Sequence, residues 1–424
     1  MKTRLLILCL AATACARVVP DTGAGAPART PARTPTSRLA LAGVSDHALR
    51  VYREAWVVDT HIDLPERILD GYDPDVRHPP GASGVRGHTD FPRLVESGVS
   101  AVFLAAWVDA PYAARRPDAS FARATEAIDT IRAFVGRHPE KLRLVTTAGG
   151  VRDARAAGQV AVLIGVEGGH AIEDSLEKLR ALHARGARYL TLTWNNGNSW
   201  AGSSIGSAGT RTGGLTEFGR EVIREMNRLG MLVDVSHVSE QTLADAVAAS
   251  SAPVIASHSS ARALADHPRN LTDAQLVAIA KTGGVVNVNF YSRFIDPAFL
   301  AAFTAMEAAL DSTLSADLAR PGADSAALRA SHDSERMRRI EALPRTPLSV
   351  LVDHVDHIAR VAGIEHVGIG SDFDGVTAVP AGMEDITYLP RLAQALLDRG
   401  YSDADVARIL GGNMMRLMDQ VLVK

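Results

Sequence analysis

The feature that most constrains the fold is a regular alternation between short apolar runs and longer amphipathic ones. The apolar runs are rich in Val, Ile and Leu and nearly continuous, which is typical of strands buried on both faces. Helical patterns lie between most of them, and strand–helix alternation favours a parallel sheet. Eight such repeats predict a closed (β/α)₈ barrel, the TIM-barrel fold. The predicted strands are 56–60, 101–107, 160–166, 189–194, 231–235, 253–257, 284–289 and 367–371.

Two segments do not fit the eight repeats. A ninth apolar run at 142–147 has no place in an eight-stranded barrel, and we interpret it as a peripheral strand. The interval 292–347 is too long for one connection. Its pattern of Ala, Leu and Met predicts an inserted helical segment over the mouth of the barrel.

Composition excludes several classes of function. The net charge is −3, with 45 basic and 48 acidic residues, so nothing suggests nucleic-acid binding. No apolar stretch reaches the roughly 18 residues that a membrane span needs. The two cysteines, Cys9 and Cys15, both lie near the N-terminus. A metal in the body of the protein would therefore be held by histidine and carboxylate.

The N-terminal segment indicates export. Basic Lys2 and Arg4 precede a short apolar run and then small residues, so we interpret 1–16 as a signal peptide. Cleavage before Cys15, in a lipobox-like ATAC sequence, would give a lipoprotein in the periplasm or anchored to the outer membrane, which is the favoured interpretation. Cleavage after Ala16 would give a freely secreted protein. Residues 17–44 are predicted to form a flexible Pro/Ala/Thr-rich tether, and 45–424 the barrel.

Side chains suited to metal binding follow the predicted strands at the point where each strand ends. In a barrel these ends converge on the C-terminal face, where active sites lie. Convergence of so many such side chains on one rim is hard to explain by packing alone. The residues are His61, Asp63, Glu167, His237, His258 and Asp372.

Charge balance predicts a binuclear centre. The carboxylates of Asp63, Glu167 and Asp372 would carry three negative charges in a partly desolvated mouth, which two divalent cations and one bridging hydroxide would neutralise. A ligand set of histidine and carboxylate without sulfur suits Zn²⁺ best, with Mn²⁺, Co²⁺ or Fe²⁺ as alternatives. We expect His61 and Asp63 to share one ion, His237 and His258 to share the other, and Glu167 to bridge.

The histidines and Glu167 also have purely structural interpretations. His61 could be a core histidine. Glu167, His237 and His258 precede helical patterns and could cap them. Asp374 competes with Asp372, although Asp372 is nearer the strand end and is favoured. The helically spaced set Asp353, His354, Asp356 and His357 is interpreted as a solvated or packing face, because no strand end brings it to the mouth.

The order of motifs in the chain resembles the membrane (renal) dipeptidase family, metallopeptidases of the amidohydrolase superfamily. The motifs are DTHIDL, VEGGH, DVSHVS, PVIASHSSAR, HPRNLTD, VGIGSDFDG and GGNMMRLM, spread from Trp56 to Met418. The resemblance implies a barrel with two zinc ions that hydrolyses dipeptides as a homodimer. It assigns the five metal ligands as above, Arg269 as the residue that holds the substrate carboxylate, and Asp372 as the group that moves protons.

One position departs from the family pattern. A histidine thought to steady the substrate carbonyl is expected after the fourth strand, but Trp194 stands there. Indole offers a single N–H donor and does not titrate. Losing a preorganised donor to the developing oxyanion typically costs about 10²–10³ in rate. Asn195, Asn196 or Asn198 could supply a donor instead.

These residues predict metal-assisted hydrolysis of dipeptides by a hydroxide that bridges the two ions. Arg269 would select a free C-terminal carboxylate, and Trp194 would contact the substrate. Two alternatives remain at this point. One is a related binuclear amidohydrolase that acts on N-acyl amino acids or other small amides. The other is a metal-containing binding lipoprotein with weak catalysis.

Overall fold

The computed structural model describes residues 43–78, 87–115, 117–206, 213–322 and 324–423. The predicted signal peptide at 1–16, Cys15 within it, and nearly all of the predicted tether lie outside the described residues. Within the described residues, no helix is both long enough and apolar enough to span a bilayer.

Nine parallel strands within the described residues form one sheet, and eight of them close into a barrel. β2 pairs with both β1 and β4, and β9 pairs with β1, so the ring is complete. β3 pairs only with β4, which confirms its peripheral position. The (β/α)₈ barrel prediction is thus confirmed. The strands are β1 Val58–Ile62, β2 Ala101–Trp107, β3 Leu142–Leu144, β4 Val160–Glu167, β5 Ala187–Thr191, β6 Leu232–Asp234, β7 Val254–Ala256, β8 Val285–Val288 and β9 Val367–Ile369.

Several strands are shorter than the apolar runs that predicted them. The run at 231–235 contains β6, and the run at 367–371 contains β9, each of three residues. Val235 is only 1% exposed although it follows the last residue of β6. The chain stays buried beyond the last hydrogen-bonded residues of these strands. Because an apolar run indicates burial rather than strand pairing, it predicts a strand that is too long.

Helices surround the barrel and begin at strong N-caps. Thr272 forms a capping box with Gln275, and the side chains of Ser175 and Ser239 each accept a backbone N–H of the first turn. The helices are α1 Asp46–Glu54, α2 Leu64–Leu69, α3 Phe91–Ser97, α4 Ala119–Arg137, α5 Ala148–Ala156, α6 Leu176–Ala184, α7 Glu217–Leu229, α8 Glu240–Ala249, α9 Asp273–Lys281, α10 Ser292–Ile295, α11 Pro297–Leu318, α12 Ser325–Ala342, α13 Leu348–Ala362, α14 Leu389–Asp398, α15 Asp403–Ala407 and α16 Asn413–Val421.

The inserted helical segment is present as α10, α11 and α12. Helices α11 and α12 pack together, and Phe299, Phe303 and Ile340 form a small apolar cluster separate from the main core. Arg293 and Phe294, at the start of the segment, line a cavity that also reaches the strand-end residues. The insertion therefore contributes to the wall of the barrel mouth.

Candidate metal centre

The site is built around Glu167, the last residue of β4. Its Oε1 lies 2.9 Å from His237 Nε2 and 3.4 Å from His258 Nε2, whereas its Oε2 lies 3.5 Å from His61 Nε2. The two oxygens of one carboxylate therefore face different imidazoles, Oε1 those of His237 and His258 and Oε2 that of His61. This is the arrangement expected of a carboxylate that bridges two cations.

On the Oε2 side of Glu167, His61 lies beside the carboxylates of Asp63 and Asp372, which follow β1 and β9. His61 Nε2 is 3.4 Å from Asp63 Oδ2, and ligand atoms of His61, Asp63 and Asp372 lie within 4.8 Å of one another. A second such group joins His61, Glu167 and His258. His61 thus lies between the two groups.

The imidazoles of His237 and His258 present lone pairs to the centre. Burial, with the charge of Arg269, lowers the pKa of His237 to about 3, and burial, with the charge of His61, lowers that of His258 well below its usual value. Both rings are therefore neutral at pH 7, yet their Nε2 atoms lie only 2.9 Å apart. Burial would also lower the pKa of His61, but Tyr189 and the carboxylates of Glu167 and Asp63 raise it well above its usual value. His61 Nε2 is buried and has no hydrogen-bond partner. Two imidazole nitrogens this close, with a third beside them that has no hydrogen-bond partner, fit a divalent cation.

The buried carboxylates point to the same need for positive charge. Burial raises the pKa of Asp63, and burial together with Asp63 raises that of Asp372 well above its usual range. Burial would also raise the pKa of Glu167, but the His61 and His237 side chains hold it below its usual range. Acidic groups this close are costly to ionise without compensating cations.

Each histidine is oriented through its second nitrogen. Tyr189 OH lies 2.8 Å from His61 Nδ1, and Asn195 Oδ1 lies 3.1 Å from His237 Nδ1. The third imidazole, that of His258, is oriented by two consecutive hydrogen bonds that pass through Ser257. Such contacts fix the tautomer and leave Nε2 free to bind a metal.

The chain of hydrogen bonds that starts at His258 Nδ1 ends at Asp234 of β6. Ser257 Oγ donates to Asp234 Oδ2 at 2.6 Å, so it accepts from His258 Nδ1 at 2.8 Å. Asp234 Oδ1 also accepts the backbone N–H of Ser257 at 2.8 Å. Asp234 and Ser257 therefore hold the His258 ring with Nε2 directed at Glu167.

The two aspartates that follow β9 have different surroundings. Asp372 has a φ of 63° and lies beside Asp63, with its Oδ2 accepting from Asn289 Nδ2 at 2.8 Å. Asp374 lines the same cavity, but its Oδ1 accepts the backbone N–H of His88, and its own N–H donates to His88 Nδ1 at 2.9 Å. Asp374 braces the loop, and Asp372 is the one that joins the cluster.

Arg269 lies deeper than a surface arginine would. It is 2% exposed, donates from Nη2 to His258 O at 3.0 Å, and leaves Nε without a partner. Burial lowers its pKa to about 10, so it remains a cation at neutral pH. Arg269 is therefore a fixed positive charge directly behind the His258 loop.

Trp194 and Asn195 line the cavity beside His237. The ring centre of Trp194 is 5.0 Å from that of Trp107 and 6.3 Å from that of His237. Of the three nearby asparagines, only Asn195 reaches the site. Asn196 contacts His170, and Asn198 accepts backbone N–H groups of its own loop.

The helical set around His354 is structural. On α13, His354 accepts the backbone N–H of Ala261 and donates to Ile295 O at 2.9 Å, which ties two loops to the helix. Asp353 and Asp356 both pair with Arg399. None of these contacts involves a residue of the candidate metal cluster.

The sequence interpretation missed Tyr189, Ser257, Asp234 and Asn289. All four lie inside predicted strands, where the apolar pattern gives a polar residue no role of its own. A polar residue in an otherwise apolar buried strand was the available signal, because such a residue must find a hydrogen-bond partner.

The cavity above the cluster has a volume of about 670 Å³. That is enough for a small substrate. It is bounded by the cluster itself, by Trp107 and Trp194, and by charged side chains of both signs, including Glu66, Arg67, Asp70, Asp109 and Arg293.

Comparison with known proteins gives a consistent result. Residues 45–423 match the family model of membrane dipeptidase, peptidase family M19. The chain is similar to the structure of the probable dipeptidase PvdM from Pseudomonas aeruginosa, with 26% identity and a TM-score of 0.75 over 89% of this chain and 98% of that one.

Two further solved structures are similar over most of the chain. One is described as dipeptidase AC, a metallopeptidase of family M19, with 27% identity and a TM-score of 0.67 over 87% of this chain and 99% of that one. The other is a metallopeptidase from Rhodobacter sphaeroides liganded with a phosphinate mimic of the dipeptide L-Ala-D-Ala. It has 26% identity and a TM-score of 0.66, over 87% of this chain and 99% of that one.

Proposed function

The chain belongs to the membrane dipeptidase family, peptidase family M19, and we propose that its metal-dependent hydrolysis of dipeptides uses two zinc ions. The observation that carries the proposal is the orientation of Glu167, whose two oxygens face different imidazoles. His61 and Asp63 would hold one ion, His237 and His258 the other, and Glu167 would bridge. The donor set of nitrogen and oxygen without sulfur suits zinc.

A divalent cation held by these residues would polarise the scissile carbonyl and lower the pKa of water toward neutrality. The protein residues supply orientation and proton transfer. Asp372 lies beside Asp63, and Asn289 holds its Oδ2. We assign to Asp372 the transfer of a proton from the attacking water to the leaving amine. Within the described residues, it is the one carboxylate beside the cluster that is not among the five proposed metal ligands.

Arg269 supplies the positive charge for the substrate carboxylate in this proposal. Its Nε has no hydrogen-bond partner and its charge persists at neutral pH, which supports the role. Its bond to His258 O supports a second role, as a brace of the loop that carries a metal ligand. Trp194 stands in place of the expected histidine and lines the cavity, and we propose that it packs against the substrate. Asn195 also lines the cavity, and we propose that its side-chain amide supplies the hydrogen-bond donor.

The activity is tested with apo-protein reloaded with zinc and offered a panel of dipeptides, each paired with its N-acetylated form. We expect hydrolysis of the free dipeptides and loss of activity on chelation. Preferential hydrolysis of the N-acetylated forms would instead support the amidohydrolase alternative. Binding without turnover of any of them would support the binding-protein alternative.

We also propose that the protein is exported and anchored through a lipid on Cys15. The support is the sequence alone: a short apolar run and small residues before Cys15. Cys15→Ala should move the protein from the membrane fraction to the soluble fraction of the exported proteins. Unchanged membrane association would contradict the anchor. The homodimer implied by the family resemblance stays a prediction.

A further inference from the structure

One wall of the active-site cavity carries excess positive charge. Arg293, Phe294 and His267 line this wall, and the guanidinium carbon of Arg269 lies 5.6 Å from the ring centre of Phe294. Burial, with the charges of Arg269 and Arg293, lowers the pKa of His267 to about 4. Both arginines therefore act on the same part of the cavity.

Arg293 has no ionic partner among the described residues. Its Nη1 makes a long 3.4 Å contact with Tyr291 OH, and its Nε is buried without a hydrogen-bond partner. Arg336 is a useful contrast, because it lies near the same aromatic ring, 5.7 Å from the centre of Phe303, but pairs with Glu307 at 2.7 Å. The charge of Arg293 is thus available to a ligand in the cavity.

The inserted helices hold Arg293 in place. Its guanidinium carbon lies 4.1 Å from the ring centre of Phe303 and 5.7 Å from that of Tyr291. Phe303 belongs to α11 and is buried in the apolar cluster of the insertion. Stacking on an aromatic face fixes the planar group and leaves its hydrogen-bonding edge to engage a carboxylate.

We propose that Arg293 binds a side-chain carboxylate on the C-terminal residue of the substrate, so that the enzyme favours dipeptides ending in aspartate or glutamate. This inference rests on the proposed function, in which Arg269 takes the α-carboxylate. Since Arg269 and Arg293 act on one wall, the second carboxylate belongs to the residue that carries the first. A guanidinium pairs with a carboxylate through two parallel N–H donors, and an amide cannot replace that pairing.

The test compares two dipeptides of nearly equal shape, alanyl-aspartate and alanyl-asparagine, each with an L and a D second residue. With zinc-loaded wild type, we expect kcat/KM to be roughly 10- to 100-fold higher for the better aspartate isomer than for the matching asparagine peptide. Arg293→Gln should bring this ratio close to one, mainly by raising KM for the acidic peptide. Arg293→Lys should retain an intermediate ratio, because lysine keeps the charge but lacks the fork.

Arg336→Gln is the matched control, since it removes a neighbouring guanidinium over the same ring. It should keep the wild-type ratio. The ratio cancels any general loss of activity from misfolding or incomplete metal loading. Three results would overturn the inference: a wild-type ratio near one, a ratio unchanged in Arg293→Gln, or an equal fall of the ratio in Arg336→Gln. In each case, hydrolysis of the peptides would leave the proposed function standing. Failure of the wild type to cleave any of the peptides would overturn both.

Discussion

At the scale of single residues, each imidazole of the cluster is held by a different partner. His61 contacts a phenol, His237 an amide oxygen, and His258 a serine that is itself bound to a buried carboxylate. Only the last of these partners leads on to a carboxylate, that of Asp234, which accepts a hydrogen bond from Ser257. Orientation of His258 should therefore depend on Ser257.

Replacing Ser257 with alanine should weaken metal binding. The change leaves His258 Nδ1–H without its acceptor and removes a donor to Asp234. Loss of such a contact typically costs about 10- to 100-fold in metal affinity. The affinity is measured by competition with a chromophoric chelator. Ser260→Ala, a buried serine of the same loop whose Oγ reaches only a backbone carbonyl, is the control, and equal affinities in the two variants would contradict the role.

Arg269→Ala should lower kcat/KM for dipeptides roughly 10- to 200-fold, because a hydrogen-bonded charge pair contributes about 1.5–3 kcal/mol. A dipeptide amide lacks the carboxylate, so it should be a poor substrate of the wild type and lose less activity than the dipeptide in the variant, because only loss of the brace at His258 O affects it. Arg269→Lys should recover part of the loss. If dipeptide and dipeptide amide lose activity equally, Arg269 serves only as a brace of the His258 loop.

At the scale of helices and strands, the sequence predicted the architecture well because burial on both faces leaves a clear apolar run. The location of the site followed, since parallel strands in a barrel end on one face. Hydrogen-bond partners that lie far apart in the sequence could not be predicted. Tyr189 contacts His61 across 128 positions, and nothing local in either strand indicates that pairing.

One predicted helix was wrong in its start. The sequence from 171 to 185 has a helical pattern of apolar residues, which predicts a helix over that whole range, but α6 begins at Leu176. Glu173 and Asp174 have positive φ values of 45° and 57°, which break the helix. The Glu173 carboxylate instead accepts backbone N–H groups of Ser120 and Phe121 in the first turn of α4. A favourable cap on another helix overrides local propensity, and only the tertiary structure shows it.

His354 should make the stability of the protein depend on pH. Burial lowers its pKa to about 4, so the folded state keeps it neutral while the unfolded state takes up a proton below about pH 6.5. Its contribution is therefore lost as pH falls from 6.5 toward 4, by up to about 3 kcal/mol. Chemical denaturation of wild type and His354→Gln should show the advantage of the wild type shrinking over this range. A constant difference across it would contradict the prediction.

At the scale of the whole molecule, one barrel end concentrates buried charge. The insertion and the strand-end loops form a cavity in which acidic ligands and cationic side chains lie close together. Such a site is costly in the absence of compensating ions, and metal binding then contributes directly to the stability of the fold. The number of bound ions therefore determines both the charge balance of the site and its contribution to stability.

The most direct measurement is the number of divalent ions per chain in relation to activity. Apo-protein is titrated with zinc while dipeptide hydrolysis and bound metal are followed together, the latter by elemental analysis after removal of free ions. We expect activity to reach its maximum at two bound ions per chain. Full activity with a single ion per chain would contradict the binuclear centre.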